Sequence, residues 1–133
     1  MDKIKFYDKF IYKGAGNAFT KLIKPENRVY ISGPMSYIKS NNVGFFNLVR
    51  SFLCSNCGAK KIVNPAKILE GFEWLNYDEY IRVDLCLLDM CDTILMLPFW
   101  RESKGGIIEL NHAKENGIRV LYMDKDFNIT EVE

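Results

Sequence analysis

The clearest signal along the chain is a repeated switch between short apolar runs and longer amphipathic ones. Arg28-Val-Tyr-Ile-Ser32 is rich in β-branched and aromatic residues and is followed at once by Gly33-Pro34, which predicts a buried strand ending in a loop. Ser40-Asn-Asn42 then offers caps for a helix through Cys54, on which Phe45, Phe46, Val49, Phe52 and Leu53 recur at helical spacing until Gly58 stops it. Lys61-Ile-Val63 reads as a second short strand closed by Asn64-Pro65, and residues 66 to 76 as a long aromatic loop with at most one turn of helix. Asn76 or Asp78 caps a helix to about Met90, with Ile81, Leu85 and Leu88 on one face. Asp92 to Leu97 is the most apolar strand, and apolarity on both faces places it centrally in a parallel sheet. Gly105-Gly106 precedes a helix from about Ile107 to Asn116, Gly117 ends it, and Ile118 to Met123 is the last strand.

This β-α-β-α-β-α-β alternation predicts an α/β fold: a parallel sheet with helices on both faces, in three layers. Residues 1 to 27 lack periodicity and contain Gly14, Gly16 and Pro25, so they read as an N-terminal extension to one domain over residues 28 to 133.

Composition narrows the function. The chain has 133 residues, enough for one core, and 18 Lys and Arg against 17 Asp and Glu give a formal net charge of +1. No block of like charges points to polymeric nucleic acid or an anionic membrane. The N-terminus has no apolar core of a secretory signal and no run has transmembrane length, so a cytoplasmic protein is expected. Cys54, Cys57, Cys86 and Cys91 are expected to be reduced and buried. Cys54-Ser-Asn-Cys57 sits at a helix end, whereas a redox pair opens a helix, and ligand-like spacing to other residues is missing, so no metal is expected.

In a parallel sheet, ligands bind beyond the carboxyl ends of the strands. The loop Ser32-Gly33-Pro34-Met35-Ser36 offers close backbone approach and hydroxyls for a sugar or phosphate, although Gly-Pro there can also be only a turn. The loop Pro98 to Gly106 leads into a helix carrying Glu109, and a carboxylate near a helix N-terminus stays ionised, as a nucleophile requires. Taken alone, Glu109 reads as a surface residue that complements the dipole. Ser103 precedes it by six positions, placed to meet an anion together with free helix amides. Asp84 falls on the same stripe as Tyr77 and Leu88, where a carboxylate must be hydrogen-bonded or functional. Two such groups at one sheet edge suggest a nucleophile and an acid. Asp89 and Glu79 point away, and His112 reads as structural or exposed. Trp100 and Phe99 are placed either to stack on a ligand or to make a subunit contact.

Four motifs carry a resemblance: Tyr30-Ile-Ser-Gly-Pro-Met35, Tyr80-Ile-Arg-Val-Asp84, Cys91 to Pro98, and Ser103-Lys-Gly-Gly-Ile-Ile-Glu109. Over residues 30 to 124 the chain resembles the nucleoside 2-deoxyribosyltransferase superfamily, and within it an uncharacterised group. The resemblance implies a flavodoxin-like sheet, cofactor-free cleavage of the N-glycosidic bond of a nucleoside or nucleotide, and a homodimer or larger assembly with sites shared between subunits. It implies Glu109 as nucleophile, Asp84 as the residue that contacts the sugar and assists base departure, and Tyr30 as the group that orients Glu109. Ser103 is similar to the serine of 2′-deoxynucleoside 5′-monophosphate N-hydrolases, where relatives acting on free nucleosides carry an acid. A hydroxyl can donate to a 5′-phosphate that a carboxylate would repel. The first loop lacks the arginine those hydrolases carry, which leaves Lys104, Arg101 or a partner subunit to supply the cation. Expected substrate contacts are Ser32, Gly33, Pro34, Met35, Trp100, Ser103, Gly105 and Gly106. The alternative is a nucleotide-binding sensor or sequestering protein on the same fold.

Overall fold

A computed structural model describes residues 21–35 and 42–133. Five strands, β1 (Arg28–Ser32), β2 (Lys61–Val63), β3 (Thr93–Met96), β4 (Arg119–Met123) and β5 (Ile129–Thr130), form one sheet in the order β2-β1-β3-β4-β5. The first four run parallel, and their order is the flavodoxin-like one. Thr93–Met96 lies between β1 and β4 and is buried throughout, as its two-sided apolarity predicts.

The expectation of an all-parallel sheet needs correction at one edge, because β5 pairs antiparallel with β4. The reason is local. The Asp124 carboxylate accepts from the backbone N–H groups of Asp126 at 2.8 Å and Asn128 at 3.0 Å, closing a turn too short for a parallel crossover.

Among the described residues four α-helices cover the sheet: α1 (Val43–Cys57), the single turn α2 (Pro65–Ile68), α3 (Tyr77–Asp89) and α4 (Lys104–Glu115). Side chains alternate along a strand, so Val29 and Ile31 pack with Phe45, Phe46, Val49 and Phe52 of α1, while Tyr30 packs with Leu88 of α3 and Leu110 and Ala113 of α4. The three layers follow. Helix α1 ends at Gly58, whose φ of 66° is the left-handed cap that glycine tolerates. Its first cap is Asn42, which makes no side-chain cap bond and instead donates from Nδ2 to the Pro34 carbonyl at 2.9 Å. Ser36, Ser40 and Asn41 lie outside the described residues. Asn76 caps α3 in a reciprocal box with Glu79. Glu79, expected to point away from the site, takes this exposed capping role, and Asp89 pairs with His112 across α3 and α4.

Most of the expected N-terminal extension lies outside the described residues, but its last stretch packs onto the domain. Ile23 is buried in the α1-side core, and the Asn27 side chain joins Asp92 and Arg119 beneath the N-terminal ends of the strands. All four cysteines are free thiols, and only Cys91 is buried; Cys54 and Cys57 are half-buried in the last turn of α1 and Cys86 is exposed. Their expected burial holds for Cys91 alone, because the other three lie off the buried stripes of their helices. Among the described residues no helix is long and apolar enough to cross a membrane.

Candidate active site

Strands β1 and β3 leave the sheet toward opposite sides of the strand order, and the crevice between their carboxyl ends is where such sheets bind ligands. A cavity of about 310 Å³ opens there, lined by Gly33 and Met35 after β1, Tyr77, Tyr80, Ile81 and Asp84 of α3, and Ser103, Gly105, Gly106 and Glu109 at the start of α4. Gly33 is required by its surroundings, since a Cβ would stand 2.8 Å from the Leu97 Cβ.

Glu109 sits at the cavity floor and is only 5% exposed. Tyr30 and Ser32 are two apart on β1 and therefore share a face; the Tyr30 hydroxyl donates to Glu109 Oε2, and Ser32 Oγ donates to Oε1 at 2.6 Å. Both carboxylate oxygens are thus held from below, by groups that are themselves fully buried. Burial raises the Tyr30 phenol well above its ordinary value, with the Glu109 charge adding to it, so Tyr30 stays a donor at any ordinary pH.

Asp84 lies beside Glu109, 8% exposed, and its Oδ1 has no hydrogen-bond partner. Burial pushes its carboxyl up, and the adjacent Glu109 charge pushes it further. Burial also pushes Glu109 up, to about 7, with the hydrogen bonds from Ser32, Tyr30 and Asp84 limiting the rise. Two carboxyls so close cannot both ionise readily, and the donors sit on one of them. The two β1 donors favour the charge on Glu109 and so the proton on Asp84.

The origin of that charge differs from expectation. Helix α4 starts at Lys104, earlier than Ile107, because Ser103 caps it: Ser103 Oγ accepts from the Gly106 N–H at 3.0 Å. Glu109 is therefore in the second turn, where the helix dipole has largely faded, and β1 donors hold its ionised form instead. Ser103 also donates weakly toward the Gly33 carbonyl at 3.5 Å, joining the two loops. The N–H groups of Lys104 and Gly105 have no acceptor within the helix, and Gly105 faces the cavity, so the expected anion-suited end exists with amides as its principal donors. Lys104 places its ammonium 5.0 Å over the Tyr77 ring at the cavity wall, whereas Arg101 pairs with Glu133.

Other expected contacts are elsewhere. Trp100 does not line this cavity; it stacks near Tyr122, carries Arg101 over its ring and donates from Nε1 to Glu133. Phe99 adopts φ 65° and lies under Lys125, packed on the α1-side core. Pro34 is buried against Asn42, and Ser32 serves Glu109 rather than the cavity surface. Conversely, Phe46, Pro65, Glu73, Tyr80 and Ile81 line the cavity without having been expected there.

The family described as "Domain of unknown function (DUF4406)" matches residues 27–122. The chain belongs to this family. No curated protein and no solved structure matches it. The DUF4406 match spans every strand from β1 to nearly the end of β4, and with them Tyr30, Asp84, Ser103 and Glu109. In this DUF4406 chain three of the four motifs, all but Cys91 to Pro98, contribute residues to one cavity, and what that cavity can do chemically rests on its paired carboxyls: one held by two donors, one buried with an unpartnered oxygen.

Proposed function

We propose that the domain cleaves the N-glycosidic bond of a nucleoside 5′-monophosphate or nucleoside, by hydrolysis or deoxyribosyl transfer, with Glu109 as nucleophile. The observation that carries this reading is the unequal pair: a carboxylate gripped by Tyr30 and Ser32 beside a buried carboxyl with an unpartnered oxygen. A purely binding pocket gains nothing from two buried acids, whose desolvation is costly.

In the first step Glu109 attacks the anomeric carbon through an oxocarbenium-like state. The C–N bond breaks, its electron pair goes to the base nitrogen, and Asp84 delivers a proton to the departing base. In the second step water attacks the same carbon, gives its proton to the Asp84 carboxylate and displaces Glu109, restoring both groups. Another base can take the place of water, giving transfer. Tyr30 and Ser32 hold the nucleophile's oxygens in place. A 5′-phosphate is accommodated by the open amides at the start of α4, with Lys104 nearby. The cavity of about 310 Å³ is at the small end of ligand pockets and suits one nucleotide, not a polymer. A homodimer or larger assembly and a cytoplasmic setting complete the proposal.

The test is incubation with matched nucleosides and 5′-monophosphates, with and without an acceptor base, followed by chromatography. Free base is expected, released faster from the monophosphates. If no compound yields base while a nucleotide raises the melting temperature, the sensor reading replaces this one.

A further inference from the structure

The cavity continues past Asp84. Met35, Glu73 and Tyr80 line both it and a second chamber of about 420 Å³, whose remaining walls include Val43, Ala66 and Leu69. The combined space has two unlike ends. At the α4 end the open groups are N–H donors, and at the Met35–Tyr80 end the walls are apolar and the charge is acidic. Of the two acids there, Glu70 is paired with Lys67 at 3.1 Å, whereas Glu73 has no ion-pair partner among the described residues.

Glu73 and Tyr80 are held by one loop. Glu73 Oε1 accepts from the Gly71 N–H at 3.1 Å, and the Tyr80 hydroxyl donates to the Phe72 carbonyl at 2.9 Å, which fixes its ring as a wall. Hydrogen bonds from its own N–H and that of Gly71 hold the Glu73 carboxyl below its ordinary value, so it is ionised and only accepts. Tyr80 and Asp84 are four apart on α3 and lie on one face, separated by about 6 Å along the helix axis. On the cleavage reading, a base whose glycosidic nitrogen meets Asp84 and which extends along α3 past Tyr80 turns its far edge to the chamber that Glu73 lines.

We infer that Glu73 is the specificity-determining residue for the base, selecting those that present an exocyclic amine, cytosine and adenine, over their oxo counterparts, uracil and hypoxanthine. This rests on the glycosidic-cleavage reading for the placement of the base. The chemistry is that of donor and acceptor edges: an amine donates to the carboxylate, whereas a carbonyl oxygen at the same place meets a second acceptor and leaves the charge unpaired.

The test compares 2′-deoxycytidine with 2′-deoxyuridine 5′-monophosphate, and 2′-deoxyadenosine with 2′-deoxyinosine 5′-monophosphate, in the parent and in Glu73→Gln, reading both base release and equilibrium binding. The amino member is expected to be favoured about tenfold or more, and Glu73→Gln, whose amide can donate as well as accept, to bring the ratio down to about threefold or less. Glu73 is exposed, so the melting temperature of the variant should match the parent's and confirm that a changed ratio is local. A parent ratio near one, or a ratio that survives in Glu73→Gln, overturns this inference and leaves glycosidic cleavage standing. Preferential binding of the amino members that Glu73→Gln abolishes, without base release from any nucleotide, supports the inference and overturns the cleavage reading. Absence of binding to all four overturns the inference.

Discussion

Glu109→Gln should cut base release by at least about 10⁴-fold, the scale on which removal of a nucleophile is felt. The protein should remain folded. Glutamine has the shape of glutamate, and its carbonyl oxygen can still accept from Ser32 or Tyr30, so the β1–α4 contact keeps a partner while the attacking oxygen is lost. Binding separates this outcome from a collapsed site: a nucleotide that protects the parent against thermal unfolding should also protect the variant. Glutamine also removes a charge that burial makes expensive. The variant is therefore expected to melt no lower than the parent at neutral pH.

Asp84→Asn should lower base release by about 10²- to 10⁴-fold, the range of a lost general acid. It should also change the shape of the pH profile. In the parent, activity falls as pH rises through the elevated Asp84 pKa, because the deprotonated carboxyl has no proton for the departing base. Asparagine does not titrate, so that alkaline limb should vanish from the residual activity. Stability supplies an independent readout with a definite sign. Asp84 binds its proton more tightly folded than unfolded, so between the ordinary carboxylate range and the raised value the native state holds more protons, and stability falls as pH rises. The variant lacks this slope from residue 84. Its melting temperature relative to the parent's should increase from pH 4 upward, measured in buffers of constant ionic strength.

Much of this site was legible in the chain because strand period and loop position place chemistry without knowledge of packing. Tyr30 on an apolar strand, Asp84 on an apolar stripe and Glu109 shortly after a glycine pair are each visible as residues in unusual company. The Ser32 role was within reach, since residues two apart on a strand share a face and Ser32 had to follow Tyr30 toward α4. The start of α4 was misplaced because Gly105 and Gly106 have poor helix propensity, and the Ser103 cap outweighs it.

Trp100 could not have been placed. An aromatic residue after a strand reads the same whether it stacks on a ligand or, as here, near Tyr122 with its indole N–H donated to Glu133. Glu73 gave no signal at all, because an acidic residue in a loop is ordinary until a cavity wall and the Gly71 N–H are found beside it. The two-residue strand β5 was equally invisible: its register comes from the Asp124 turn, which tertiary contact with β4 completes.

The central claim is covalent, and mass spectrometry addresses it directly. A 2′-deoxy-2′-fluoro nucleoside 5′-monophosphate, whose fluorine disfavours the oxocarbenium-like state, slows turnover so that the ester can accumulate. The account predicts release of one equivalent of base per active site and a mass increase equal to the bound fluorinated sugar phosphate on the peptide containing Glu109. Base release with that peptide unmodified, or an adduct on a different residue, would contradict it.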